Sequence, residues 1–276
     1  MNTARIEAVM LPAIRARAIF AVLAALLFAA SATATALRFT SMTAMSGTPM
    51  PGGWTLSAAW LPLCGRTWLQ TAASFVSMWA TMTPAMMLPA LAPMLWRERA
   101  TLTIRSGWLI ILSAVAYFST WLLAGVLLFP LGAALASLAI RVPSIARAAP
   151  LSAGLVVMAS GVLQCTAWKV RRLQSCHPVR DCHVDCSVDG HIAPPDHAVQ
   201  ALRNGVRFAV RCASCCGNWM AVLLATGVMN REATLIVSAA IAIERIAAPR
   251  GPLAPVSRIT GAASIVAGFM LIAYLI

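Results

Sequence analysis

The chain has 276 residues, of which 60% are hydrophobic and only 11% charged, and its mean hydropathy is +0.81. A soluble globular domain carries roughly 25% charged residues, so this chain has too few to cover a water-exposed surface. The composition excludes a disordered chain, a small disulfide-rich secreted domain and a basic nucleic-acid-binding protein, although the net charge is +13.

Apolar segments long enough to cross a bilayer, which takes about 20 residues in a helix, recur along the whole chain. They predict an all-α, polytopic transmembrane helix bundle with about seven spans, surrounded by the lipid bilayer. The sixth span is the weakest because Glu244 and Arg245 interrupt it near one end, and a short helix buried in protein is the alternative. The predicted spans are residues 18–37, 69–95, 108–135, 150–168, 209–229, 233–248 and 259–276.

The basic residues orient these spans, because cytoplasmic loops of membrane proteins carry the excess of Lys and Arg. With the N-terminus inside, 16 of the 21 basic residues fall in cytoplasmic segments and five fall on the other side. This split predicts an N-in, C-out protein of the bacterial cytoplasmic (inner) membrane. Arg15 and Arg17 before an apolar run also resemble a signal peptide, whose cleavage would leave the remaining topology unchanged.

These spans divide the chain into four regions. Residues 1–68 hold the first span and an outer loop, 69–168 hold spans 2 to 4, 169–208 form a cytoplasmic loop rich in Cys, His and Asp, and 209–276 hold spans 5 to 7. The outer loop carries Met42, Met45 and Met50, whose thioethers are candidate collectors of a soft metal ion.

The second span carries a row of methionines in the segment MWATMTPAMMLP. Met78, Met82 and Met86 lie four residues apart and drift only slowly around a helix, and Met87 follows directly. Methionine usually fills gaps between packed helices. The thioether is also a ligand for soft metals, so these four residues are candidate metal ligands as well.

The polar segment after span 4 contains the sequence CHPVRDCHVDC, which mixes thiol, imidazole and carboxylate groups. In a reducing compartment such thiols are more often metal ligands or redox groups than structural disulfides. Zinc takes four such ligands and Cu(I) two or three thiolates, but the spacing matches no common zinc finger. A flexible solvated loop is the alternative. The candidate ligands are Cys176, His177, Cys182, His183 and Cys186, with Cys165 at the end of span 4.

The fifth span gives a sharper pattern. Cys212, Cys215 and Cys216 lie at i, i+3 and i+4 on one helical face, and Met220 follows one turn later. The charge of Arg211 beside them would favour thiolates. We therefore expect the tighter metal site here, the alternative being that these thiols pack as small hydrophobes.

Polar and small residues near the end of the chain predict helix contacts. An intramembrane carboxylate such as Glu244 needs a partner, which Arg245, Lys169 or Arg207 could supply, and a buried Glu244–Arg245 ion pair is one expectation. Asn230 suits a helix end or an interhelical hydrogen bond. The last span has a small-residue face for close packing, formed by Gly261, Ser264 and Gly268.

Taken together, the runs MWATMTPAMMLPALAPM, CASCCGNWM and GVMN resemble a bacterial family described as predicted metal-binding integral membrane proteins, a domain-of-unknown-function family. The resemblance covers roughly residues 70–251 and implies metal binding in a membrane, without an established activity. The chain departs from the family pattern at Arg172, Phe208, Ser214 and Gly217, and Cys176 fits the second of two expected loop cysteines after Lys169. The matching residues are Trp79, Met86, Met87, Pro89, Cys212, Cys215, Cys216, Glu244 and Arg245.

Three functions fit these patterns, and the sequence does not decide whether the chain is an enzyme. The first is handling or delivery of Cu(I), since thiolates and thioethers suit that ion, with zinc as the alternative metal for the loop. The second is a membrane metalloenzyme or a subunit of a metal-dependent oxidase or monooxygenase. The third is a thiol–disulfide carrier. A membrane or periplasmic protein partner is left open. In the copper reading, the ion would pass from the outer methionines along span 2 to the cysteines of span 5.

Overall fold

The computed structural model describes residues 3–43, 47–51, 53–57, 59–62, 65–101, 107–175, 194–228, 230–247 and 253–274. These residues are mostly helical, as the sequence predicted. The elements in chain order are α1 (Thr3–Thr43), β1 (Thr48–Met50), β2 (Trp54–Leu56), α2 (Trp68–Thr101), α3 (Gly107–Arg141), α4 (Pro143–Cys165), α5 (Ala167–Ser175), α6 (Pro194–Thr226), α7 (Arg231–Ala247) and α8 (Leu253–Ala273).

Helices α3 and α6 run parallel and in close contact. The hydroxyl of Ser113 donates to the carbonyl of Ala201 over 3.0 Å, and a Cβ atom on Gly205 would lie 2.2 Å from the carbonyl oxygen of Ser113. About one turn further along α3, and two turns further along α6, Tyr117 faces Cys212. The close approach at Gly205 therefore brings the thiols of α6 against α3.

Helices α4 and α8 pack antiparallel through small residues, which confirms the small-residue face predicted for the last span. Gly154 approaches Gly268 and Gly161 approaches Gly261, and a Cβ atom on Gly161 would lie 2.6 Å from the carbonyl oxygen of Gly261. Any side chain there would push the two backbones apart, so glycine sets the spacing of this pair.

Helix α7 leads the chain back along α6. Its C-terminal Arg245 contacts Cys212, while its N-terminal end follows directly from the C-terminal end of α6. Asn230 accepts a hydrogen bond from the backbone of Ala233 over 3.0 Å and so caps the start of α7, which agrees with its predicted place at a helix end. With 17 residues, α7 is about 25 Å long.

Among the described residues, six helices are long and apolar enough to cross a membrane, whereas the sequence predicted about seven spans. Helix α7 is not one of the six, because it has only 17 residues, with Arg231 and Glu232 at its start and Glu244 and Arg245 near its end. The six segments are Arg15–Thr40, Trp68–Trp96, Gly107–Arg141, Pro143–Cys165, His197–Thr226 and Val256–Ala273.

Helix α6 begins well inside the segment that the sequence assigned to a polar loop. Its first half is amphipathic: Ala201, Gly205 and Ala209 are buried, whereas Arg203 and Arg207 are exposed. The arginines lower the local hydropathy although they occupy one face of the helix, and the span predicted from the sequence therefore began only at residue 209.

A small antiparallel hairpin, β1–β2, covers the end of the bundle where α3 turns into α4. Met50 pairs with Trp54, whose indole nitrogen donates to the carbonyl of Ala146 over 2.8 Å. Met50 is buried there with Leu56 and Ala139. The hairpin therefore lies at the end of the bundle away from α5, and the described part of the outer loop packs rather than standing free.

Candidate functional site

Three sulfur atoms meet in the interior of the bundle, between α2 and α6. Cys212 Sγ lies 3.7 Å from Cys216 Sγ and 3.7 Å from Met87 Sδ, and Cys216 Sγ lies 4.0 Å from Met87 Sδ. All three side chains are buried. The two cysteines share one face because they are four residues apart in α6, and Cys216 also donates to the carbonyl of Cys212 over 2.9 Å.

The size of this sulfur triangle matches what a single metal ion requires. The point equidistant from its three corners is about 2.2 Å from each sulfur, close to the metal–thiolate distance of about 2.3 Å known for zinc. Met87, Cys212 and Cys216 would therefore offer a soft metal ion two thiols and one thioether at distances suited to metal–sulfur bonds.

Two polar groups on α3 line the same interior. The hydroxyl of Tyr117, which is 1% exposed, faces Cys212, and the indole nitrogen of Trp121 lies beside Tyr117. Neither atom has a hydrogen-bond partner among the described residues. A buried donor without a partner is costly, so these two groups are placed where an added negative charge on sulfur would be favourable.

A positive charge reaches the thiols from α7. Arg245 Nη2 lies 3.5 Å from Cys212 Sγ. The sequence had suggested that Arg211 acts on these thiols, but the side chain of Arg211 is exposed on the outer side of α6. The guanidinium that meets the thiols therefore comes from a distant part of the chain.

The neighbouring residue, Glu244, forms a buried ion pair with Lys169 rather than with Arg245. Lys169 Nζ lies 3.2 Å from Glu244 Oε2, with both side chains almost completely buried. Consecutive helical residues point about 100° apart, so Glu244 and Arg245 cannot face the same partner. Of the three partners that the sequence offered for Glu244, Lys169 is the one that pairs with it, and Arg245 instead contacts Cys212.

Several neutral donors complete the surroundings of Glu244. Its Oε1 accepts from Gln164 Nε2 at 2.6 Å, from Trp219 Nε1 at 2.9 Å and from Thr260 Oγ1 at 3.3 Å. Lys169 donates in addition to the side chain of Asn218 and to the carbonyl of Cys215. Burial lowers the pKa of Lys169, and Glu244 opposes that shift. This network joins α4, α5, α6, α7 and α8.

Cys215 does not join the other two cysteines of α6. Its sulfur lies 3.1 Å from the carbonyl oxygen of Arg172 and packs against Leu173 on α5. It also takes part in a disulfide bond, whereas Cys212 and Cys216 are free thiols. The predicted group of three thiols therefore separates into a pair that faces α2 and a third cysteine that faces α5.

The other predicted sulfur ligands lie at different distances from this centre. Met82, Met86 and Met220 are buried in the same core cluster as Cys212 and Cys216, and Met78 is buried outside that cluster. Cys165 is exposed at the end of α4, with its sulfur 3.9 Å from the carbonyl of Arg258. The remaining predicted ligands, Met45, Cys176, His177, Cys182, His183 and Cys186, and the side chain of Met42, lie outside the described residues.

A family model for PpoB2, described as a copper chaperone, matches residues 76–271, which is well over half of the chain. The chain belongs to the PpoB2 copper chaperone family. No curated protein and no solved structure matches it significantly. The matched range includes Met87, Cys212, Cys216 and Arg245, and membership agrees with the copper-handling class expected from the sequence.

The donor set of this PpoB2 family member is poor in the ligands of harder metals. No group of three or more Cys, His, Asp or Glu side chains that could hold a metal ion occurs among the residues that the structure describes. The sulfur triangle reaches three donors only because Met87 contributes a thioether. A thioether is a soft ligand, so this interior is suited to a soft ion.

The sequence did not predict two contacts of the thiols: the one between Tyr117 and Cys212, and the one between Arg245 and Cys212. Tyr117 is one of only two tyrosines in the chain, and it lies in a helix whose other aromatic side chains are Trp and Phe. That rarity was the available signal. Arg245 drew attention in the sequence only because it follows Glu244. Since an intramembrane carboxylate needs a basic partner, Arg245 was considered as that partner rather than as a neighbour of the thiols.

Proposed function

We propose that this chain is an integral membrane copper chaperone that carries Cu(I) as its cargo between Met87, Cys212 and Cys216. The observation that supports this most directly is the buried triangle of three sulfur atoms with sides of 3.7, 3.7 and 4.0 Å. Family membership supplies the copper-chaperone class. The geometry of the described residues supports Met87, Cys212 and Cys216 as the proposed binding site.

Several features favour Cu(I) over zinc at this place. Cu(I) accepts two or three soft sulfur ligands, whereas structural zinc is almost always tetrahedral with four ligands of the Cys, His, Asp or Glu type. The triangle offers three sulfurs, and one of them is a thioether. A fourth ligand of the kind zinc prefers is not among the described neighbours of the pair.

The outer surface of the bundle supports a membrane location. The helices expose many large apolar side chains, such as Leu26 and Leu27 on α1, Leu127 on α3 and Phe269 on α8. In the apolar part of α1 only 6% of the residues are buried. Soluble monomers rarely expose apolar patches of this extent, so lipid is the natural surrounding of these faces.

The mixed donor set also suits release of the cargo. Two thiolates would hold Cu(I) firmly, while the neutral thioether of Met87 would be the weakest bond and the first to exchange. Because Met87, Cys212 and Cys216 are buried, α2 and α6 would have to separate before a thiolate or thioether of a partner protein could replace Met87. The ion would then pass to the partner by ligand exchange, without being free in solution.

The test is metal binding by the purified full chain in detergent micelles. We expect the wild-type protein to bind about one Cu(I) tightly, and the double replacement Cys212→Ser and Cys216→Ser to lose that ion while the helix content and the size-exclusion profile stay unchanged. Cys165→Ser is the matched control, because this exposed thiol is remote from the triangle. Tight Cu(I) binding by the double variant would show that the site is elsewhere.

Two other functions remain predictions. A metalloenzyme role, alone or as an oxidase subunit, and a thiol–disulfide carrier were both compatible with the sequence. No arrangement among the described residues favours the first. The second would use Cys215, whose disulfide bond is directed away from the free pair.

A further inference from the structure

Arg245 is held against the thiol pair by interactions that do not involve the thiols. The preceding residue, Glu244, is fixed by Lys169 on one oxygen and by Gln164, Trp219 and Thr260 on the other. Since the next residue of a helix is rotated by about 100°, this anchoring directs Arg245 toward α6. Its Nη2 consequently lies 3.5 Å from Cys212 Sγ.

The charges around the sulfur triangle can be counted. Two metal-bound thiolates carry two negative charges, Met87 is neutral, and the guanidinium of Arg245 carries one positive charge. With a monovalent ion the group sums to zero, whereas with a divalent ion it sums to one positive charge. The buried Lys169–Glu244 pair is neutral as a whole and does not alter this difference.

An uncompensated charge is costly in an interior of low dielectric constant, whereas a neutral group is tolerated. The neutral hydroxyl of Tyr117, which faces Cys212, can donate to sulfur but does not supply a negative charge for a divalent ion. Only a monovalent ion therefore leaves this interior electrically balanced.

We propose that Arg245 is a specificity-determining residue that makes the Met87, Cys212 and Cys216 site prefer monovalent over divalent thiophilic ions. This inference rests on the proposed copper site and adds to it the reason for its selectivity. Removing the guanidinium leaves one negative charge with a monovalent ion and none with a divalent ion. The preference should then shift toward divalent ions even though all three sulfur ligands are retained.

The experiment compares Ag(I), a redox-inert monovalent probe, with Cd(II), a divalent probe, on the full-length protein in detergent micelles. The affinity of each ion is measured by competition with a chelator, and the readout is the ratio of the two affinities. We expect Arg245→Gln to lower the Ag(I) to Cd(II) ratio by about tenfold or more, corresponding to about 1.4 kcal/mol. Arg245→Lys, which retains the charge, should stay within about threefold of the wild type.

The matched control is Arg211→Gln, which removes an exposed arginine adjacent in sequence to Cys212 and should leave the ratio unchanged. Arg245→Met is the second neutral variant if the glutamine variant does not fold. An unchanged ratio in the neutral variants, with tight binding that still depends on Cys212 and Cys216, would overturn this inference alone. Failure of the wild-type protein to bind either ion would overturn the proposed copper site together with it.

Discussion

At the scale of single residues, side chains that are adjacent in sequence contact different helices or different partners in this protein. Cys215 faces α5 while Cys216 faces Met87 on α2, and Glu244 meets Lys169 while Arg245 meets Cys212. Each pair differs by a rotation of about 100°. Neighbours in sequence therefore serve different partners, and the thiol pair obtains its counter-charge from α7.

Met87 gives a direct test of the third sulfur. Met87→Leu keeps the apolar volume but removes the thioether, and we expect the Cu(I) affinity to fall about tenfold while both thiolates still bind. Met86→Leu is the control, because Met86 is also buried but points about 100° away around α2. Chelator competition measures both affinities. Equal affinities of the two variants would remove Met87 from the site.

The sequence predicted much of this centre from local spacing alone. The i, i+4 spacing placed Cys212 and Cys216 on one face, and Met87 was among the candidate thioethers. Local spacing could not show that Cys215 turns to α5, because three residues and four residues along a helix are both near neighbours. Nor could it show the contact between Arg245 and Cys212, which depends on how α7 packs against α6.

At the scale of helices, the buried Lys169–Glu244 pair and its neutral partners join five helices, α4 to α8. Lys169 lies on the short helix α5 and Glu244 on α7, and their neutral partners come from α4, α6 and α8. Breaking such a pair leaves an uncompensated buried charge, whereas removing both charges does not. The pair should therefore act as a coupled unit in stability.

A double-mutant cycle measures this coupling. We expect Lys169→Met to lower the free energy of unfolding by about 3 to 5 kcal/mol, because Glu244 remains buried without its partner. Lys169→Met combined with Glu244→Gln should recover a large part of that loss, since glutamine can keep neutral hydrogen bonds with Trp219 and Thr260. Unfolding of the detergent-solubilised protein is the measurement. Simple addition of the two single effects would contradict the coupling.

At the scale of the whole molecule, the directions of the helices bear more strongly on the number of crossings than the apolar length of any one helix does. Helices α3 and α4 are joined by a tight turn, α4 and α8 are antiparallel, and α3 and α6 are parallel. Helices α6 and α8 therefore run in the same direction, and α7 must bring the chain back between them. Helix α7, with 17 residues and charged side chains near both ends, is not among the six apolar segments found in the described residues, so a seventh crossing is a prediction.

The side of the membrane on which the α5 end of the bundle lies gives the orientation, and the side on which the C-terminus lies gives the number of spans. The excess of basic residues predicts that the end with α5 lies in the cytoplasm, and the hairpin lies at the opposite end. Seven crossings then place the C-terminus outside, whereas six would place it inside.

Topology reporters decide between these arrangements. We expect a reporter near Gly190 and one after Ala100 to report the cytoplasm, and a reporter at Gly47 and one after Tyr274 to report the outside. Paired fusions to alkaline phosphatase, active outside, and green fluorescent protein, fluorescent inside, give each position two opposite readouts. A cytoplasmic signal after Tyr274 would show that α7 does not cross the membrane. An outside signal near Gly190 would reverse the orientation and place the Lys169 end of the bundle, nearest the thiol pair, toward the oxidising side.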